Sequence, residues 1–106
     1  MSRRIHKTPA ALADLAEIGA FIGQDSRRAE LRFYQAAEVA FDRLAQTPGL
    51  GAGCMEGAPM LAGLRRWRIP RFANYLDFNR ATDGAMEIVR VLHGAREVER
   101  VLESEE

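Results

Sequence analysis

The stretch Asn74-Tyr75-Leu76-Asp77-Phe78-Asn79-Arg80, followed by Asp83-Gly84 and then by Met86-Glu87-Ile88-Val89-Arg90-Val91-Leu92-His93, decides the fold. Side chains along a strand alternate between two faces, so Leu76 and Phe78 share one face while Tyr75, Asp77 and Asn79 share the other. Asp-Gly between two such runs is a hairpin signal, because glycine supplies the positive φ that a tight turn needs. The second run sets Ile88, Arg90 and Leu92 against Val89, Val91 and His93. Both of its faces are largely apolar, which predicts a strand inside a sheet. Upstream, Leu64 to Ile69 predicts a third strand.

Before Leu61 the apolar period is that of a helix. Thr8-Pro9 opens the first one: threonine caps free N–H groups, and proline at the first helical position forfeits no hydrogen bond. Ala11, Leu15, Ile18 and Ile22 step by four, three and four to about Gly23, with Asp14 and Glu17 elsewhere on the cylinder. Asp25-Ser26 caps a second helix from Arg27 to Gln46, whose stripe is Phe33, Ala37, Ala40, Phe41 and Leu44 and which Thr47-Pro48-Gly49 stops. So short a link predicts an antiparallel helical hairpin. Leu31, Tyr34 and Val39, with Leu12 and Phe21, fall off the two stripes and offer a surface to an amphipathic partner helix. Arg4 to Lys7 predicts a short leading strand. Gly49 to Gly63 reads as a flexible connection with no phosphate-binding pattern, and Ala95 to Leu102 as a short terminal helix on Val98, Val101 and Leu102. The order predicts one α+β domain over residues 1–106, a β-α-α-β-β-β(-α) chain with the hairpin packed on a mainly antiparallel sheet.

Composition narrows the classes. The chain has 106 residues, and no run approaches the roughly 20 apolar residues of a membrane helix. The start Met1-Ser2-Arg3-Arg4-Ile5-His6-Lys7 has no apolar core behind it, so a cytoplasmic protein without a secretory signal is expected. Cys54, the sole cysteine, can form no intrachain disulfide and reads as a loop thiol. With two histidines and no nearby cysteine or carboxylate pair, neither a metal nor another cofactor is expected. Formal net charge is zero, yet residues Leu61 to Arg96 carry seven arginines against three acids, a net +4 that leaves −4 elsewhere. Such asymmetry points to a localised interaction surface.

Four segments carry a family likeness: Leu12-Ala13-Asp14-Leu15-Ala16-Glu17-Ile18, Leu44-Ala45-Gln46-Thr47-Pro48-Gly49-Leu50-Gly51, Gly63-Leu64-Arg65, and Ile88-Val89-Arg90-Val91-Leu92-His93-Gly94-Ala95-Arg96. In this order and spacing, over about residues 5 to 98, they resemble the ParE branch of the ParE/RelE toxin superfamily. The resemblance implies a RelE/ParE-like fold and a toxin of a type II toxin–antitoxin pair. It implies a cognate ParD-like antitoxin whose C-terminal segment wraps the toxin, while its N-terminal part dimerises and binds operator DNA. ParE-type members are associated with poisoning DNA gyrase, and RelE-type members are ribosome-dependent mRNA endoribonucleases.

Chemistry separates these two. Attack by a ribose 2′-hydroxyl needs a general base, an acid for the leaving oxygen and cations for the developing charge. Arg66, Arg68, Arg80 and Arg90 can supply cations, but the first strand region after the helices, Leu64 to Ile69, holds no lysine and no tyrosine follows His93. His93 is the one acid/base candidate, beside Arg68 and Arg90; read structurally, it orients the turn into Gly94. The lack of a paired acid and base favours a protein that binds and does not catalyse, with no catalytic residues. The candidate antitoxin- or target-binding residues are Arg65, Arg66, Trp67, Arg68, Arg71, Tyr75, Arg80, Arg90, His93 and Arg96. Three readings of the arginines stay open: a nucleic-acid surface with Trp67 and Phe72, a face paired with helix acids such as Glu30, Glu38 or Asp42, and a dock for an acidic antitoxin tail. A degenerate, purely regulatory antitoxin-binding module is a third class of function.

Overall fold

In the computed structural model, which describes residues 3–53 and 63–94, the elements are β1 (Arg4–Lys7), α1 (Pro9–Gly23), α2 (Arg27–Gln46), β2 (Ala52–Gly53), β3 (Arg65–Ile69), β4 (Phe72–Thr82) and β5 (Ala85–His93). Both helix starts follow from their caps. Thr8 Oγ1 accepts the Ala11 N–H at 3.0 Å and Ser26 Oγ accepts the Ala29 N–H at 3.1 Å, each satisfying a donor that the first turn leaves without an intrahelical partner. Thr8 does more than cap: its hydroxyl donates to the Val89 carbonyl at 2.7 Å, fastening the start of α1 to the sheet.

The sheet has the order β1-β5-β4-β3-β2, with β1 parallel to β5 and every other pairing antiparallel. As its two apolar faces predict, β5 is interior. The two-residue strand β2 lies inside the stretch read from sequence as a flexible connection; two residues, Ala52 and Gly53, carry no period from which a strand is legible. β4 runs from Phe72 to Thr82, beyond the predicted Asn74–Arg80, because pairing with β5 carries through Thr82↔Ala85 to the turn. Gly84 takes φ +74° there, the conformation that the Asp-Gly signal anticipates. The predicted terminal helix Ala95–Leu102 lies outside the described residues.

The helical hairpin covers one face of the sheet. Phe33, Ala37, Ala40, Phe41 and Leu44 of α2 pack with Ala11 and Leu15 of α1 and with Ile69, Met86, Ile88 and Val91 of the strands. Alanine at 37 and 40 keeps the α2 backbone close to its neighbours. Gly19 lets α1 approach α2 in the same way: a Cβ there would overlap the Tyr34 ring. Tyr34 is thus half-buried against the core and is not a free surface residue, whereas Leu12, Phe21, Leu31 and Val39 are exposed.

A candidate interaction surface and its cavity

Register assigns the strand side chains to faces, since residues directly opposite in an antiparallel pair share one. Tyr75 faces His93, and Asp77 faces Val91 and Trp67. Tyr75 meets the Phe33 ring of α2 at 5.5 Å, so this set lies under the helices. Leu76 faces Leu92 and Arg68, and Phe78 faces Arg66, which puts these on the far face, while Arg90, opposite Phe78 where the register shifts, reaches back to α1. The polar trio read from sequence therefore turns inward. Asp77 and Asn79 are fully buried, joined by an Asn79 Nδ2 donation to Asp77 Oδ1 at 2.6 Å. Burial pushes the Asp77 carboxyl up to about 7 against the hydrogen bond from Asn79, which works in the opposite direction. Asp77 Oδ2, Asn79 Oδ1 and Trp67 Nε1 have no partner among the described residues.

The arginines divide by what they touch. Arg90 is held by Asp14 of α1 through two bonds, Nε to Oδ2 at 2.7 Å and Nη2 to Oδ1 at 3.0 Å. The same carboxylate accepts the Val91 N–H at 3.0 Å, on the edge of β5 away from β4, where β1 has ended and no strand follows among the described residues. Asp14 thus occupies a place along β5 that a neighbouring strand would fill. Arg80 pairs across the strands with Glu87 at 2.7 Å, and Arg65 donates to the Gly51 carbonyl at 2.7 Å. Arg66, half-buried, and Arg68, exposed, line a concavity of about 520 Å³ with Leu50, Trp67 and Leu76. Arg71 is exposed in the Pro70-Arg71 turn at φ +70°, a conformation costly for a side chain with a Cβ. Of the helix acids expected to meet the strand arginines, Glu38 pairs with Lys7 and Glu30 with Arg27. Arg96 and Cys54 lie outside the described residues.

His93 is separated from Arg68, against what sequence suggested, because the register sends it to the helix-covered face and Arg68 to the other, whereas Arg90 reaches Asp14 on the wall of the same cavity that His93 lines. Its ring lies edge-on to Tyr75 at 5.2 Å. Both line a cavity of about 250 Å³ with Asp14, Glu17, Ile18, Phe21, Val91 and Leu92. Four of these, Asp14, Glu17, Ile18 and Phe21, follow an i, i+3, i+4, i+7 spacing on α1, a stripe beside the core stripe. That spacing was available in the sequence, but carboxylates on it read as solvent-facing.

A family model of the ParE toxin of the type II toxin–antitoxin system parDE matches residues 5–98. The chain belongs to the ParE toxin family. Among solved structures, this ParE chain is similar to one described as the chromosomal ParDE toxin–antitoxin system from P. aeruginosa. That match has TM-score 0.69 and 21% identity, covering 88% of this chain and 97% of the other. It is also similar to a double arginine-to-alanine mutant of the E. coli toxin RelE in its free state, with TM-score 0.53 and 13% identity over 99% and 98% of the two chains. At these identities the two structures speak for the fold, a ParE/RelE-like α+β architecture. No curated protein matches the sequence.

Proposed function

We propose that this ParE-family chain is the toxin of a type II pair that acts by binding DNA gyrase, without bond-making chemistry of its own, and is neutralised by a ParD-like antitoxin. Operator DNA is then reached only through the antitoxin. One observation carries the non-catalytic part. The imidazole of His93 lies under the helices while Arg66 and Arg68 lie on the far face, so the acid/base candidate and these cations do not converge on one phosphate. Arg90 and Arg80 are engaged by Asp14 and Glu87, which favours structural duty for both.

The test is a pair of reactions with purified protein. Inhibition of gyrase supercoiling with intact ribosome-bound mRNA is the expected outcome. Site-specific mRNA cuts lost in His93→Ala would instead establish a RelE-type endoribonuclease, and a chain that leaves growth unaffected when expressed alone would be a regulatory module. A short neighbouring reading frame encoding a DNA-binding N-terminus and a charged amphipathic tail is expected, and its product should restore growth.

A further inference from the structure

We infer that the cavity between α1 and the end of β5 is a receptor for a basic anchor, an arginine side chain presented by the antitoxin. This rests on the antitoxin proposed above and adds the site and the chemistry of recognition. The floor is apolar, from Ile18 and Val91, and Phe21 stands at the rim 64% exposed. Such a floor suits the aliphatic stem of a long side chain, which buries its methylenes and keeps its charged end at a polar wall. A volume of about 250 Å³ admits one large side chain and little else.

The polar wall selects a cation. Glu17 has no hydrogen bond or ion pair among the described residues, in contrast to Asp14, whose oxygens are taken by Arg90 and Val91. His93 lies on the same wall, but its Nδ1 is buried and is not presented to the cavity. The Glu17 carboxylate is an acceptor, and a guanidinium offers several N–H donors in a fixed fork to meet it. An anionic or purely apolar anchor leaves it unmatched. Because β1 stops short, the edge of β5 away from β4 has no strand beside the cavity among the described residues, and Asp14 takes the Val91 N–H there.

The probe is phenethylguanidinium, with phenethylurea as its uncharged counterpart, titrated into the isotope-labelled full chain near neutral pH. The amide resonances of Val91, Leu92 and His93 should shift with both, and the cation should half-saturate at a concentration roughly 3- to 10-fold lower. Glu17→Gln should remove that preference without lowering the unfolding temperature, since Glu17 is an exposed helix residue. Equal affinity for the two probes, an undiminished preference in Glu17→Gln, or no shift at these amides would overturn the assignment. Co-expression with the neighbouring gene product reads the antitoxin proposal separately. Failure to neutralise the wild-type chain sinks that proposal and leaves the probe result standing, whereas neutralisation of Glu17→Lys at wild-type strength sinks the anchor alone.

Discussion

Asp77 illustrates how much a single side chain's meaning depends on the face it lands on. The alternation of β4 puts it on one face with Tyr75 and Asn79 without saying which face is covered, and it is fully buried with one oxygen unpaired among the described residues. Desolvation disfavours the charged form, so the folded chain retains a proton that the unfolded chain has already released between its ordinary value of 3.8 and about 7. The folded state binds more protons in that window, and stability therefore falls as pH rises through it, by about 4 kcal/mol in total as an order of magnitude. Asp77→Asn keeps the shape and removes the charge. Thermal unfolding of this variant should match wild type near pH ~4 and occur at clearly higher temperature near pH ~8; equal curves at both ends would show that a compensating donor lets Asp77 ionise in the fold as readily as in the unfolded chain. His93 makes the same point differently. Its place at a strand end was legible, but its separation from Arg68 depends on pairing register, which one residue of slip would invert.

At the scale of elements, caps, stripes and the hairpin turn were all legible, because each is a local pattern with a local cause. Contacts between elements were not. Asp14 ties α1 to β5 through Arg90 and Val91 across 76 positions of sequence, and nothing near Asp14 marks it for that task. Asp14→Ala should cost about 2–4 kcal/mol, since it removes two charge-assisted bonds from a partly buried guanidinium and the acceptor of a backbone N–H. Arg90→Lys should recover little, because an ammonium cannot reproduce the two-pronged geometry. Chemical denaturation of both variants measures this, and a loss under about 0.5 kcal/mol for Asp14→Ala would reduce the pair to a surface ornament. Gly19→Ala sets two effects against each other. Helix propensity favours alanine by about 1 kcal/mol, but the Tyr34 ring occupies the space, and overpacking typically costs about 1–3 kcal/mol. Net destabilisation is expected, reversed in the double variant with Tyr34→Ala at the helix–helix contact.

For the molecule as a whole, the uneven charge that sequence displays resolves into two populations. Arg80 and Arg90 serve internal pairs, while Arg66 and Arg68 line an open concavity with Leu50, Trp67 and Leu76. Arg66→Glu with Arg68→Glu should leave the unfolding free energy within about 0.5 kcal/mol, as surface changes usually do. The same pair should weaken binding of an acidic antitoxin tail by roughly tenfold or more and flatten its salt dependence. Unchanged affinity by calorimetry would assign these arginines to the target or to neither partner. By itself the sequence determined the order of β1, the two helices and β3 to β5, both helix boundaries, the hairpin, the interior position of β5 and the family, because periodicity, caps and turn residues act over a few positions. Only the tertiary structure decided which face of β4 the helices cover, which arginines are already engaged, and that Asp14, Glu17 and His93 share one cavity. Those outcomes depend on register and on the ending of β1 four residues into the sheet, where a side chain from a distant helix takes over the strand's hydrogen bonding.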